Sequence, residues 1–586
     1  MKLSNVIVDF LIQKNIHIVF GIIGSANSHI YDSLRLKQIK IVNVHNEQAA
    51  LLAAGAYYKT TGKLAAALVT AGGGASNAVT GVVSLWADST PVIIFSGQES
   101  TMYLEQHANM RMYGTQGFDI VDMVKKTTKY AVTIKDPTDI QLELENCYHA
   151  MMDLRKGPVW LDIPFNVQSA EVTYRIWNDF VPTELICDTS AVIKLLENSK
   201  KPVFLAGNGI KLSSSVSLFR DTLNSVQIPV MLTWSGIDII EETHPLYFGR
   251  PGIYGARAAN FIFQKADCII VLGSRLTLPQ TGYDFKELAR TGKIVMVDVD
   301  ESEFKSFSHL NLHCDCKTFL EQFKCSYKNE EWLEECNKLK LEFPVIDSFH
   351  RDGEFPNSYK IVDKISDFLK DDQVIVTDMG TALLSGHQAI RLKKGHTMFS
   401  SYGLGEMGYG LPAALGAGFS GRNVLCLNCD GGMMMNIQEL QTIIQHKLRV
   451  KIVIFNNDGY LMIKHTQKML FNSNFTAVDS ESGIVLPDYI KVGNAFGYET
   501  YQVKTWNDFD YFFPKFMDSA HPSICEIFMP PEQDFLPKVK GILKSNGNIF
   551  APPIEEISPL LSYETMKRIM GDTISSTSSE IVRPSP

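Results

Sequence analysis

The chain lacks a long apolar run, a basic block and any surplus of positive charge. Its 586 residues carry 55 Lys and Arg against 64 Asp and Glu, a net charge of −9. Nucleic-acid binding needs a surplus of cations that neutralises phosphates, so this balance argues against a nucleic-acid partner. No apolar run reaches the roughly 18 residues that span a bilayer. We therefore expect neither a nucleic acid nor a membrane as a partner.

We expect neither a signal peptide nor a disulfide framework. The N-terminus leads from Met1 directly into an amphipathic helix pattern. Ten cysteines are scattered along the chain, unlike the dense spacing of a small secreted scaffold. Cys426 and Cys429 imitate a redox pair, but they straddle a predicted strand, in which alternate side chains face opposite sides. We expect buried thiols in a reducing cytoplasm.

Length and hydrophobic pattern together predict three α/β domains. A chain of 586 residues exceeds one hydrophobic core. Short apolar runs alternate with helical stretches, which is typical of parallel sheets covered by helices. We predict three successive doubly wound parallel-sheet domains at 1–185, 186–345 and 346–535, and a C-terminal tail at 536–586. The Ser/Thr/Pro-rich end from Ser575 to Pro586 is predicted to be disordered.

Apolar runs mark the predicted strands of these domains. They are Ile16–Phe20, Lys40–Val44, Ala65–Val69, Val92–Phe95, Pro202–Ala206, Cys268–Leu272, Ile294–Val297, Val374–Val376, Val424–Leu427, Ile452–Phe455 and Ile524–Ile527. Three doubly wound domains are compatible with many functions, so the function has to be argued from the residues that follow the strands.

Two polar pairs stand where neighbouring predicted strands end. Asp430 and Gly431 follow one apolar run, and Asn456 and Asn457 follow the next. A carboxylate and an amide oxygen are hard ligands for Mg²⁺, which takes the rest of its shell from phosphates and water. The glycine lets backbone N–H groups approach a phosphate. The hypothesis is a metal-diphosphate site; the alternative is an ordinary strand–turn–helix with a satisfied Asp430.

Two further segments carry candidate binding groups. Glu47 comes directly after the run Lys40–Val44, at the edge of a parallel sheet where ligands bind, although a helix-start carboxylate has the same pattern. Gly72, Gly73 and Gly74 precede a helix start and allow close backbone approach. A G-x-G-x-x-G match begins at Gly403, but a lone match of this kind is weak evidence for a dinucleotide site.

These segments resemble the thiamine-diphosphate (ThDP) enzymes, and in particular the acetolactate synthase-like family, over roughly residues 1–540. The stretch from Asp430 to Asn457 is similar to the ThDP signature, with Cys429 in place of its first glycine. The triple glycine from Gly72 is nearer to the version in benzaldehyde lyase. The resemblance implies a small-molecule enzyme with ThDP and Mg²⁺ as cofactors.

The resemblance also implies roles for particular residues. Asp430, Asn457 and the backbone carbonyl of Gly459 would bind the metal, and Glu47 would activate the cofactor through its pyrimidine ring. Gln116 would help to position the acceptor; the alternative is a polar surface loop. The remaining implied cofactor-binding residues are Gly24, Ser25, Gly73, Asn77, Gly380, Thr381, Gly405, Met407, Gly431, Gly432, Tyr460 and Leu461. Met407 would be the wedge that bends ThDP, unless it is plain core packing.

The family resemblance predicts a carboligase that decarboxylates a 2-oxo acid, with pyruvate as the expected donor, and adds the two-carbon unit to an aldehyde or ketone. Phe165 and Thr466 replace the family's usual Lys and Trp, which disfavours a dedicated branched-chain amino-acid role. A 2-oxo acid decarboxylase, a ThDP-dependent C–C lyase or hydrolase and a silent scaffold remain alternatives. A homodimer or homotetramer is implied. Relatives keep similar central loops without flavin, so bound FAD is the less favoured outcome.

Overall fold

A computed structural model describes residues 1–175, 177–543 and 549–583. Three large parallel sheets confirm the predicted α/β class with three doubly wound domains. The N-terminal sheet has the order β2-β1-β3-β4-β6-β5, the central sheet β12-β11-β10-β7-β9 and the C-terminal sheet β15-β14-β16-β17-β19-β18, with the strands numbered along the chain and bounded as follows. The N-terminal strands are β1 Ile18–Gly21, β2 Lys40–Asn43, β3 Ala66–Val69, β4 Ile93–Gln98, β5 Tyr130–Thr133 and β6 Val159–Pro164.

The central and C-terminal strands follow the same plan. Those of the central domain are β7 Pro202–Ala206, β8 Val226–Gln227, β9 Val230–Leu232, β10 Cys268–Leu272, β11 Lys293–Asp298, β12 Leu310–His313 and β13 Tyr327–Lys328, of which β8 and β13 pair separately. Those of the C-terminal domain are β14 Val374–Thr377, β15 Thr397–Phe399, β16 Val424–Cys429, β17 Val450–Asn456, β18 Glu499–Val503 and β19 Ser523–Phe528. In the tail, β20 Ile542–Leu543 and β21 Ile549–Phe550 form an antiparallel pair.

Helices connect and cover these sheets. In the first half of the chain they are α1 Leu3–Gln13, α2 Ser28–Leu36, α3 Glu47–Thr61, α4 Gly73–Asn77, α5 Val79–Ala87, α6 Thr101–Gln106, α7 Ile120–Val124, α8 Ile140–Met152, α9 Phe165–Ser169, α10 Ser190–Glu197, α11 Gly209–Leu212, α12 Val216–Ser225, α13 Arg257–Lys265 and α14 Leu278–Thr281. In the second half they are α15 Cys316–Gln322, α16 Glu330–Glu342, α17 Ser358–Ile365, α18 Thr381–Ala389, α19 Gly410–Gly418, α20 Asp430–Met433, α21 Glu439–Gln445, α22 Leu461–Leu470, α23 Tyr489–Phe496, α24 Trp506–Asp518 and α25 Tyr563–Met570.

Short 3₁₀ turns complete the elements. They lie at Ser25–Asn27, Pro137–Asp139, Trp234–Gly236, Phe285–Glu287, Glu301–Glu303, Ser366–Phe368, Met434–Asn436, Gly571–Thr573 and Ser576–Glu580. Within the described ranges, no helix is both long enough and apolar enough to cross a membrane.

Two compact units emerge from the contacts within the chain. Unit 1 comprises residues 1–183, 372–383 and 397–528, and unit 2 comprises 184–371, 384–396 and 529–586. Unit 1 thus contains the N-terminal and C-terminal sheets, and unit 2 contains the central sheet. The boundaries at 185, 345 and 535 stay predictions, although the tail groups with the central domain.

Helices α3 and α19 form the main seam inside unit 1. Helix α3 is capped at its start by Asn46, whose side chain accepts the N–H of Gln48, and ends at Gly62 in the left-handed conformation. A Cβ on Gly416 of α19 would overlap the backbone of Ala53 in α3. Only small side chains allow this approach, so the two domains of unit 1 are packed backbone to backbone at this point.

The described parts of the C-terminal tail, 536–543 and 549–583, are ordered within unit 2, and the prediction of disorder from Ser575 is wrong up to Arg583. The carboxylate of Glu555 is fully buried and pairs with Arg290 at 2.5 Å. Glu556, also fully buried on its side chain, pairs with Arg583 at 2.8 Å. Composition suggested disorder, but these ion pairs depend on residues far away in sequence. Residues 584–586 lie outside the described part of the chain.

Candidate functional site

The fold brings Asp430 and Asn457 together at the carboxyl edge of the C-terminal sheet. They follow β16 and β17, which are adjacent parallel strands with Cys429 opposite Phe455. One carboxylate oxygen of Asp430, Oδ2, accepts the backbone N–H of Asn457 at 2.9 Å and that of Gly459 at 3.0 Å. Strand pairing therefore brings the two residues, 27 positions apart in sequence, into direct contact through the backbone N–H of Asn457.

The electrostatics of this edge suit a cation. Asp430 is fully buried, and burial raises its pKa to about 7 even though three backbone N–H groups point at it. The Oδ1 of Asn457 is buried and has no hydrogen-bond partner, which is costly for a polar atom unless a ligand completes it. A hard divalent cation would satisfy both oxygens, so these residues fit Mg²⁺.

Protein groups alone do not complete a metal shell here. Among the described residues, no group of three or more His, Cys, Asp or Glu side chains could hold a metal ion. That is the pattern expected of Mg²⁺ bound through one carboxylate, an amide oxygen and the phosphates of a ligand. The predicted contribution of the Gly459 carbonyl stays a prediction; its N–H is already used by Asp430.

Glycines allow neighbouring groups to pack closely around the turn at Asp430. Gly459 has φ 130°, and a Cβ there would overlap the backbone at Val478. A Cβ on Gly431 would overlap the ring of Tyr460, which covers this turn. Leu461, at the start of α22, is buried. The four predicted residues Gly431, Gly459, Tyr460 and Leu461 therefore form one wall beside the carboxylate.

Asp378 organises the neighbouring turn and was missed at the level of sequence. It is fully buried after β14 and accepts the N–H groups of Met379, Gly408 and Tyr409 at 2.8–3.2 Å. Burial raises its pKa to about 6, opposed by these N–H groups. A Cβ on Gly432 would overlap its carboxylate. An acid directly after an apolar strand was the signal that could have found it.

Asp378 thereby fixes the segment that carries Gly405 and Met407. Gly405 has φ 76°, and Met407 is 37% exposed. Asn436 donates to the carbonyl of Gly408 at 2.8 Å. The short strand β15 and helix α19 flank the segment. Sequence reasoning did not find β15. Met407 is therefore held at the surface of unit 1, not in its core.

Cys429 links the metal turn to the start of α18. Its thiol donates to the carbonyl of Met379 at 3.1 Å and accepts the N–H of Ala382 at 3.2 Å. The intervening residues are Gly380, with φ 82°, and Thr381, whose hydroxyl accepts from the Asn457 amide at 3.3 Å. The replacement of the signature glycine by Cys429 thus adds two hydrogen bonds at the predicted diphosphate loop.

The N-terminal half of the candidate site is built around Glu47. This residue begins α3, is 9% exposed, and accepts from the side chain of Asn77 at 3.1 Å. A Cβ on Gly74 would lie 3.2 Å from its Oε1. Gly73, in contrast, faces open space. The glycine turn therefore leaves room next to the carboxylate, as ligand approach requires.

Sequence reasoning missed Tyr31 and Thr70, which lie near Glu47, and Glu439, which contacts the segment before it. The hydroxyls of Tyr31 and Thr70 are buried without partners. Burial, with the charge of Glu47 nearby, raises the pKa of Tyr31. A Cβ on Gly24, whose neighbour is Ser25, would overlap Thr70. From the C-terminal domain, buried Glu439 accepts the N–H of His45 at 2.9 Å and so fixes the entry to α3.

Gln116 lies over the glycine turn. A Cβ on Gly72, which has φ 67°, would lie 2.8 Å from the Gln116 carbonyl. Its amide donates weakly to Ala71 at 3.4 Å, and its backbone N–H donates to Glu99 at 3.1 Å. The loop is thus anchored by Glu99, and Gln116 stands next to the turn that precedes Gly73.

The central domain offers a different edge. Its topological switch point lies between β7 and β10, where a dinucleotide would bind. There the N–H of Gly209 donates to the carbonyl of Gly273 at 3.0 Å, and a Cβ on Gly207 would overlap the same carbonyl. The backbone of one turn therefore lies directly against that of the other at this point.

Comparison with protein families agrees with this architecture. Three models match: "Thiamine pyrophosphate enzyme, N-terminal TPP binding domain" at residues 1–123, "central domain" at 189–323 and "C-terminal TPP binding domain" at 378–527. The chain belongs to the thiamine pyrophosphate enzymes. Thiamine pyrophosphate is another name for ThDP.

Curated relatives that are similar along most of the chain are acetolactate synthases. The "Acetolactate synthase large subunit" of Cyanidium caldarium is 28% identical over 565 residues, covering 91% of this chain and 94% of that protein. "Acetolactate synthase isozyme 2 large subunit" of Escherichia coli K12 is 28% identical over 501 residues, covering 84% and 89%. The large subunit of Lactococcus lactis is 28% identical over 567 residues, covering 93% and 96%.

Proposed function

We propose that this protein is a ThDP- and Mg²⁺-dependent carboligase that decarboxylates pyruvate and transfers the two-carbon unit to an aldehyde or ketone. The observation that carries the proposal is the buried, unpartnered Oδ1 of Asn457 beside the buried carboxylate of Asp430. Bound ThDP supplies an electron sink for the loss of CO₂. The similarity of the chain to acetolactate synthases supports this reaction class.

The protein side chains bind, orient and move protons. Asp430 and Asn457 would hold Mg²⁺, with the carbonyl of Gly459 as a further ligand. Glu47, which accepts from Asn77 at 3.1 Å, would hold a proton beside the pyrimidine ring of the cofactor. Met407, exposed at the end of its turn, would pack against the bound cofactor.

The acceptor position is less polar than the family pattern. Phe165 is 41% exposed and lies against the ring of His29 at 4.6 Å between centroids. No lysine stands at this position to attract the carboxylate of a second 2-oxo acid. Thr466, on α22, donates only to the carbonyl of Met462. These features support an acceptor carbonyl without a carboxylate, which Gln116 helps to position.

Assembly into a homodimer or homotetramer is part of the proposal. Unit 1 exposes large apolar side chains, which is costly for a monomer and typical of interfaces. Among them are Met110, Met469, Leu470 and Phe471, which are 56–74% exposed. We also infer a cytoplasmic location, because all ten cysteines are free.

Product analysis tests the proposal. Purified protein is incubated with ThDP, Mg²⁺ and pyruvate without an acceptor, and the products are identified by NMR. Acetolactate or acetoin supports carboligation. Acetaldehyde alone would instead support a 2-oxo acid decarboxylase. If pyruvate is not consumed although ThDP is bound, the pyruvate donor is wrong, and larger 2-oxo acids and the lyase or hydrolase alternative with cyclic diones are tested next.

A further inference from the structure

Glu406, between Gly405 and Met407, turns its carboxyl group inward, away from the exposed end of the turn. Its Oε2 accepts from the hydroxyl of Ser401, and Ser84 of α5 also hydrogen-bonds the carboxyl. Its Oε1 is buried without a hydrogen-bond partner. A half-buried acid, with one carboxyl oxygen fully buried, thus connects the turn to the N-terminal domain.

The charged groups that face Glu406 do not neutralise it. Asp88, at the end of α5, pairs with Lys59 at 2.6 Å and accepts the N–H of Gly403 at 2.8 Å. Lys59 also donates to Tyr409 at 3.3 Å. Within the described chain, no cation forms an ion pair with Glu406 itself. The second carboxylate nearby therefore makes ionisation of Glu406 still less favourable.

A neutral carboxyl group fits these contacts better than a carboxylate. Protonated on Oε2, Glu406 donates to Ser401, whose hydroxyl lies 3.3 Å from that of Ser84. Only a neutral carbonyl oxygen then remains unpartnered, which costs less than an unpaired buried charge. Burial and the neighbouring charge of Asp88 both raise the pKa of Glu406, in agreement with this geometry.

We propose that Glu406 is a proton-controlled positioning residue. Neutral, it holds the Gly405–Met407 turn against α5; ionised, it leaves this position and releases the turn. The proposal rests on the cofactor role of the turn and is independent of which donor or acceptor the enzyme uses. It predicts that ThDP binds more weakly as the pH rises.

The test is the dissociation constant of ThDP with Mg²⁺, measured by calorimetry over about pH 6–9. The cofactor and the metal site titrate too, so the ratio of wild type to Glu406→Gln isolates Glu406. We expect the wild type to weaken by about tenfold relative to this variant for each pH unit above the pKa. The exposed Glu564→Gln variant, the matched control, is expected to follow the wild type. A ratio that stays constant over the whole range overturns the proposal.

A second variant keeps the test decisive if Glu406→Gln folds poorly. Ser401→Ala removes a donor that stabilises the carboxylate, so it raises the pKa of Glu406 further. The weakening of ThDP binding is then expected to begin at higher pH than in the wild type. A purely structural role of Ser401 would weaken binding equally at all pH values. Carboligation is not measured, so failure here and failure of the proposed reaction are distinguishable.

Discussion

The carboxyl edges of the C-terminal and central sheets are built from the same parts and differ in what fills them. At each edge, glycine-containing turns follow the ends of parallel strands. At the C-terminal edge, the turns surround the buried acids Asp378 and Asp430 and the unpartnered oxygen of Asn457. At the central edge, Gly209 and Gly273 pack against each other through a backbone hydrogen bond.

Glycines therefore indicate that another group packs closely against the backbone, but they do not identify that group. In the central domain, another turn of the same chain approaches. In the C-terminal domain, acids and an orphaned oxygen are left for a ligand. Buried polar groups without partners are therefore the better guide to a cofactor site.

The largest expected effect tests whether Glu47 of the N-terminal domain belongs to the same cofactor site as the C-terminal edge. Glu47→Gln keeps the shape of the side chain but removes the acid. We expect proton exchange at the reactive carbon of bound ThDP, followed by NMR, to slow by about 10²–10⁴-fold. ThDP binding should be nearly unchanged. The exposed Glu105→Gln serves as the control; unchanged exchange in Glu47→Gln would remove this residue from the site.

The second effect concerns the metal. Asp430→Asn removes the charge that faces the cation, and the loss of Mg²⁺-dependent ThDP affinity should be at least the roughly 10–100-fold that changes around a metal site cost. Titration calorimetry with and without EDTA measures it. If EDTA leaves the wild-type affinity unaltered, the Mg²⁺ assignment fails.

A matched pair of glycine substitutions tests directly whether the C-terminal and central edges differ in ligand binding. Gly432→Ala places a methyl group on Asp378, whereas Gly209→Ala places one on Gly273. We expect Gly432→Ala to lose ThDP affinity, and Gly209→Ala to lose about 1–3 kcal/mol of unfolding free energy with normal affinity. Thermal unfolding and ThDP titration separate the two. Weakened ThDP binding in Gly209→Ala would make the central edge part of the site.

The smallest effect is a pH dependence at a buried acid that holds no ligand. Asp162 accepts from Ser96, Gln98 and Thr133, yet burial raises its pKa to about 7. Its value in the unfolded chain is about 3.9, so the folded state binds the extra proton. Stability from this group is therefore present below about pH 4 and is lost as the pH rises through 7. Urea unfolding from about pH 4 to 8 should show a decline that is smaller in Asp162→Asn, because Asp378 and Asp430 contribute in the same direction in both proteins.

Much of the fold could be predicted from the sequence because central parallel strands are continuous apolar runs. Pro202–Ala206 and Cys268–Leu272 were predicted at their observed bounds. The edge strands β5 and β18 were not, because their side chains are only partly buried and the apolar signal is weak. The strand β15 was too short to be recognised.

The candidate site was predictable where motif and strand end coincide, as at Asp430, Asn457 and Glu47. Asp378 and Glu439 had to be read from the structure, since their hydrogen-bond partners lie about 30 and 390 positions away. The inward turn of Glu406 has the same reason in part, because its partner Ser84 comes from α5, about 320 positions away. Spacing in the sequence holds no information about such contacts.

The seam between α3 and α19 also has a consequence for synthesis on the ribosome. Ala53 and Gly416 are separated by about 360 residues. The face of α3 that α19 covers is therefore synthesised long before α19. At about 5–20 residues per second, it waits roughly 20–70 s before α19 exists. Over that time the nascent N-terminal domain exposes an alanine-rich apolar surface, and chaperone protection is needed most in this interval.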